Sequence, residues 1–177
     1  RNTLFENCLF VKNGAIAGYG STDQESAYGG AIYSDGEQGN KGIITVVANC
    51  TFDSNYVEVL NNSNWSFTRG ADIFYGQGSS NNTNKFAYVF NSVITGSYLK
   101  GGDTRDSDEL KKNKVFYTDS EQNNRIYVDY STIEGSSGLS WAANENVFDI
   151  TPVYKNTANL DYSLSDLSPV IGKGINT

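Results

Sequence analysis

The sequence predicts an all-β chain wound as a solenoid, and three observations carry that prediction. The phrase "NCLFVKN" at Asn7–Asn13 returns as "NCTFDSN" at Asn49–Asn55, a shift of 42 (49 − 7). A second strand phrase recurs in phase with the first. The composition is that of short strands joined by polar turns: twelve Tyr, nine Phe and eighteen Gly, against two Pro and no Met. The 177 residues are enough for one domain with a core.

Aligning the first phrase exposes two further copies, at Asn91-Ser92-Val93-Ile94 and Tyr130-Ser131-Thr132-Ile133, so that the spacing runs 42, 42 and 39 (130 − 91). Four columns result. They are Asn7, Asn49, Asn91, Tyr130; Cys8, Cys50, Ser92, Ser131; Phe10, Phe52, Ile94, Ile133; and Asn13, Asn55, Ser97, Ser136. The second phrase, "GGAIY" at Gly29–Tyr33, matches "GADIF" at Gly70–Phe74, "NKVFY" at Asn113–Tyr117 and "ENVFD" at Glu145–Asp149.

Between these strands lie polar separators of unequal length, such as "NNSNWSFTRG". Equal strands with unequal loops at a period near 40 describe stacked coils with strands parallel to their own copies. A β-sandwich has no reason to repeat one side chain in one column, and four incomplete propeller blades would not close.

In a parallel stack, identical positions sit about 4.8 Å apart. Cys8 is then placed on Cys50, within the span of a disulfide, whose Cα atoms usually lie about 4.4–6.8 Å apart. The plainer alternative is a stack of small buried thiols continuing into Ser92 and Ser131. The Asn7 column reads as a hydrogen-bonded ladder where the backbone turns a corner.

These phrases resemble a known family. "FVKN" and "FDSN" have the form F-x-x-N, and each precedes "GGAI" or its variant "GADI". That pairing is similar to the repeats of right-handed parallel β-helix surface proteins, including the polymorphic outer-membrane adhesins. The stretch "DITPVYKNTANLDYSLSDLSPVIGKG" resembles their closing segment through Asp149, Pro152, Tyr154, Asp161, Tyr162, Leu164, Ser168, Pro169, Ile171 and Gly174, with Asp149 displaced. The last two coils depart from F-x-x-N and from "GGAI". The resemblance implies a bacterial protein secreted or held on the outer cell surface. It implies no reaction.

Chemistry is sparse. With no His there is no Ser-His-Asp or Cys-His triad, and no His-based zinc site. "GYGSTDQ" lacks the Lys of a phosphate loop. The acidic run Asp103–Glu109 reads as a solvated loop rather than a calcium site. A net charge of −7 argues against nucleic acid, and no apolar run is long enough to span a membrane. These residues call for no metal and no cofactor.

The second strand carries the candidate site. Sorted by residue type, its columns are Ala31, Asp72, Lys114, Asn146, then the aliphatic Ile32, Ile73, Val115, Val147, then the aromatic Tyr33, Phe74, Phe116, Phe148. The aliphatics suit the interior, so period-two alternation puts Asp72, Lys114 and the aromatics outside. There, with Tyr75 and Tyr117, they would form a ladder on which sugar rings stack. The alternative is that a loop, the closing segment or a bulge removes the ladder from solvent. Asp72 beside Lys114 would then be an ordinary cross-strand ion pair. Loop aromatics Tyr19, Tyr28, Trp65 and Tyr98 would wall the ligand or pin loops. Of the N-x-S/T triplets at Asn49, Asn61, Asn64 and Asn81, Asn49 lies in a stacked column, which argues against glycosylation there.

The expectation is therefore a right-handed parallel β-helix (β-solenoid) of about four coils over residues 1–150, closed by a C-terminal cap over 151–177. The chain opens inside a motif, so upstream coils, or a partner, are expected to cover its first edge. The expected function is extracellular binding or adhesion toward a polysaccharide or cell-surface glycan. Two alternatives remain: a polysaccharide lyase or glycoside hydrolase with its groove partly upstream, and a structural or passenger segment without a ligand.

Overall fold

Strands whose sequences repeat lie side by side in the computed structural model, which describes residues 2–18, 26–35, 43–60, 67–76, 85–101, 114–118, 124–139 and 145–175. The first repeat supplies β1 (Asn2–Glu6), β2 (Leu9–Val11), β3 (Gly14–Ala17), β4 (Ser26–Tyr28) and β5 (Ile32–Asp35). The second supplies β6 (Ile43–Ala48), β7 (Thr51–Asp53), β8 (Tyr56–Val59), β9 (Phe67–Arg69) and β10 (Ile73–Gly76). The third contributes β11 (Lys85–Phe90), β12 (Val93–Thr95), β13 (Tyr98–Lys100) and β14 (Phe116–Thr118). There follow β15 (Asn124–Asp129), β16 (Ser131–Ile133), β17 (Val147–Phe148), β18 (Tyr154–Asn156) and β19 (Asp161–Leu164).

The architecture is all-β and repeat-like, with short parallel strands gathered in several small sheets. One sheet runs β1-β6-β11-β15, a second β17-β16-β12-β7-β2, a third β13-β8-β3, a fourth β14-β10-β5, and β4 pairs β9. Ile44 faces Asn2 and Phe86, Thr51 faces Leu9 and Val93, and Tyr56 faces Gly14 and Tyr98, so each of these partners is the copy one repeat away. A single antiparallel pair, β18 with β19, closes the described chain. Among the described residues no helix is long and apolar enough to cross a membrane.

Because partners are copies, each inward position is a column of like residues. Val47, Val89 and Val128 line the core from the first sheet, and Phe52, Ile94 and Ile133 from the second. Phe10 stacks on Phe52 with ring centroids 4.6 Å apart, as the F-x-x-N column requires.

The corners explain the Asn column. Asn7, Asn49, Asn91 and Tyr130 all have left-handed backbones, with φ between 47° and 54°. Asn tolerates that region better than other non-glycine residues. The side-chain ladder predicted for this column lies instead one corner later, where Asn13 Nδ2 donates to Asn55 Oδ1 at 3.0 Å. Gly70 turns a third corner at φ 62°, where a Cβ would meet the Ile73 carbonyl oxygen at 2.6 Å.

The segment expected as a terminal cap also reaches back over the repeats. Tyr162 Oη donates to Asp53 Oδ2 at 3.0 Å, and Asn91 exchanges two hydrogen bonds with the Ile175 backbone at 2.7 and 2.8 Å. Ser168 Oγ accepts from the Val153 N–H at 2.9 Å, bracing the segment internally.

Candidate functional site

The strand register corrects the three columns read from residue type. Ile73 pairs with Ile32 on one side and Phe116 on the other, and Phe74 with Tyr33 and Tyr117. This is the alignment of the phrases themselves, one residue away from the sorted columns. Just ahead of this pairing the ladder is locally irregular: the Val115 carbonyl accepts from both the Asp72 and Ile73 N–H groups, at 3.2 and 3.1 Å. Phe116 consequently points inward and is a buried member of the core. The fourth copy, "ENVFD", does not continue this sheet at all. Val147 pairs with Ser131 and Phe148 with Thr132, so β17 adds a rung to the sheet of β16.

The proposed outer ladder is thereby dispersed. Tyr33 is exposed, but Phe74 is buried and stacks against two rings, Tyr28 at 4.6 Å and Tyr33 at 4.9 Å. Tyr75 is buried, donating its hydroxyl to the Phe86 carbonyl at 3.2 Å. Phe148 is half-buried with the Lys173 ammonium 4.8 Å from its ring centroid. Tyr28 covers one rung, the closing segment another, and pairing with Ile73 turns Phe116 inward.

Asp72 is not a surface residue: it is completely buried. Its Oδ1 accepts from Asn55 Nδ2 at 2.9 Å and its Oδ2 accepts from Ser97 Oγ. Asn55 in turn donates to the Phe10 carbonyl at 3.1 Å, and its Oδ1 accepts from the backbone and side chain of Asn13. Burial pushes the Asp72 carboxyl from its usual 3.8 up to about 7, against the two hydrogen bonds and the charge of Lys114, and with Asp53 adding to the rise. Lys114, half-buried, acts on it as a nearby charge. Asp72 closes a polar network that ties three repeats together.

The cysteine column is present and unbonded. Cys8 and Cys50 are free thiols; each donates to a carbonyl two residues back, Cys8 to Glu6 at 3.2 Å and Cys50 to Ala48 at 3.1 Å. Both Sγ atoms thus donate to carbonyls, and no bond joins them. Ser92 and Ser131 donate to Phe90 and Asp129 in the same way, at 2.9 and 2.8 Å, so one corner geometry serves all four. Burial raises the Cys50 thiol above its ordinary value.

Two exposed aromatic rows lie elsewhere. On the outer face of the first sheet, Leu4, Val46, Tyr88 and Tyr127 stand in register. Tyr88 and Tyr127 are 38% and 42% exposed and stacked, with centroids 5.2 Å apart and planes 14° from parallel. Phe86, two residues before Tyr88, lies 6.4 and 6.0 Å from them. On the third sheet, Tyr56 and Tyr98 stack at 5.1 Å and 5°. Beside them Lys100 Nζ meets Glu58 Oε1 at 2.5 Å. Both rows were available to the repeat count: Leu4, Val46, Tyr88 and Tyr127 each stand three positions before a corner residue.

Tyr19, Trp65, the run Asp103–Glu109, the triplets at Asn61, Asn64 and Asn81, and the Tyr117 side chain lie outside the described residues. Among the described residues no three His, Cys, Asp or Glu side chains are grouped to hold a metal ion. Comparison with protein-family models, curated proteins and solved structures finds no match.

Proposed function

We propose that the chain is part of a right-handed parallel β-helix, displayed outside the cell, that binds glycans through aromatic rows on its outer faces. The helix is supported by in-register pairing of successive copies and by corners that recur at the same columns. Right-handedness follows the general rule for parallel strand crossovers. The observation that carries the binding reading is the Tyr88–Tyr127 row with Phe86 beside it: stacked rings, well exposed, on a rigid parallel sheet. A surface gains nothing by holding such rings in water, whereas the CH faces of sugars stack on ring faces and their hydroxyls match phenol groups.

The catalytic alternative draws less support. Its leading carboxylate, Asp72, is sealed and hydrogen-bonded inside the core, out of reach of a polymer.

The test is a native gel of the purified protein cast with neutral and acidic polysaccharides. Retardation in at least one polymer, reduced in Tyr88→Ala and Tyr127→Ala, is the expected result. Clearing of a polymer would make the protein an enzyme, and no retardation in any gel would leave a structural segment.

A further inference from the structure

The Tyr56–Tyr98 stack ends in an unusual way. Each interior ring of a ladder is sandwiched by its neighbours, but this ladder has residues without rings at both ends. Its first position is Gly14, where an added Cβ would fall 2.2 Å from the Tyr56 ring, so Tyr56 lies flat on the glycine. Tyr98 is the last strand position: among the described residues no strand continues this sheet beyond β13. The count of 39 that sets the fourth repeat leads to Ser137 (98 + 39), which carries no ring. Its segment makes a turn, with the Leu139 N–H donating to the Ser136 carbonyl at 3.1 Å. The Ser137 N–H is drawn to Asp149 at 3.1 Å. Tyr98 has one face on Tyr56 and is 44% exposed.

Two residues along the same outer face is an ion pair with unequal exposure. The Lys100 side chain is 66% exposed, the Glu58 side chain 15%. Glu58 fixes the direction of the ammonium, which keeps further N–H donors for a ligand, while the carboxylate keeps acceptor capacity. An aromatic face flanked by a fixed donor and a fixed acceptor is matched to a ring that is apolar on one face and carries hydroxyls at its rim. An anionic sugar is disfavoured by Glu58 and by the net charge of −7.

We infer that Tyr98, Lys100 and Glu58 form a binding site for a single neutral pyranose unit, which lies on the outer face of Tyr98 as the next rung of the ladder. The inference rests on the glycan-binding reading but locates a different site from the Tyr88 row. Because the ladder terminates here, the site takes a chain end or a branch sugar rather than the middle of an extended polymer.

The test is isothermal calorimetry of the full chain with neutral oligosaccharides (gluco-, manno- and galacto-oligomers of four to six units) and with a uronate oligomer. Variants are Tyr98→Leu, which removes the ring but keeps bulk, Lys100→Met and Tyr88→Ala, each checked for folding by circular dichroism. Expected is binding of one neutral series, weakened roughly tenfold or more by Tyr98→Leu, the scale of one lost aromatic contact. Lys100→Met should weaken it too. Neutral binding lost in Tyr88→Ala but kept in Tyr98→Leu would overturn this site and leave the glycan reading standing. Preference for the uronate would overturn the assignment of a neutral ligand. No binding of any oligomer, together with no retardation in any polysaccharide gel, would overturn both.

Discussion

Replacing Asp72 with Asn should make the protein more stable at pH 8 and remove a decline in stability that the wild type shows on the way there. The carboxyl is completely buried, and its folded-state pKa is raised from 3.8 to about 7, first of all by burial. In the unfolded chain it ionises near the ordinary value. As pH rises from about 4 to about 7, the unfolded state therefore releases a proton that the folded state retains, and stability falls. The gap between 3.8 and about 7 corresponds to about 4 kcal/mol once both states are ionised. Asn at this position stays neutral. Its Oδ1 can accept from Asn55 as Asp72 Oδ1 does, and its amide can donate to Ser97 Oγ after that hydroxyl rotates. The assay is urea unfolding of wild type and Asp72→Asn between pH 4.5 and 8.5, followed by circular dichroism. Wild type minus variant isolates Asp72, because Asp53 and Lys114, whose charges act on it, are the same in both. The difference should grow in the variant's favour through pH 7 and then level off. A variant less stable at pH 8, or a difference independent of pH, would refute the argument.

Three other changes test the architecture. Tyr130 holds φ 47° in a column otherwise made of Asn, so Tyr130→Asn should raise the urea midpoint, by roughly 1 kcal/mol of relieved backbone strain. Phe52 is completely buried against Phe10, and Phe52→Ala should cost about 3–5 kcal/mol in the same measurement. Tyr162→Phe removes the hydroxyl that holds the closing segment to Asp53, and limited proteolysis should then cut within residues 150–175 faster while the repeats stay intact.

The interior was legible in the sequence because a parallel stack repeats its inward residues, and Phe10/Phe52 or Val47/Val89 could be counted off. Alternation of residue type was a poorer guide than the phrases. Val115 and Phe116 are consecutive and both buried, so a period-two rule must misplace one of them. "ENVFD" looked like a second-strand copy, yet its Val147 pairs with Ser131 of the strand just upstream, because loop length does not reveal which sheet a strand will rejoin. Asp72 was illegible for a different reason. Its burial is made tolerable by Asn55 and Ser97, which lie on distant segments of the chain, and no local pattern announces that meeting. The rows at Tyr88 and Tyr56 needed only the same count carried to the neighbouring strands.

These cases separate what a repeat can do from what its interruptions do. A regular ladder protects its own members: Phe74, stacked against Tyr28 and Tyr33, is buried and out of a ligand's reach. A face becomes available only where a column stops carrying rings. Along the third sheet that happens below Tyr98, at the point where the repeat shortens and the chain turns. Fold and recognition therefore place opposite demands on the same columns. The fold needs each rung copied, and a binding face needs one rung left uncopied. A variant of Ser137 tests that opposition. Ser137→Tyr supplies the next ring, and if it occupies the outer face of Tyr98 it should block sugar binding at that site without loss of stability. If neutral sugars still bind with unchanged affinity while the new ring stacks on Tyr98, the ladder's end is not where recognition occurs.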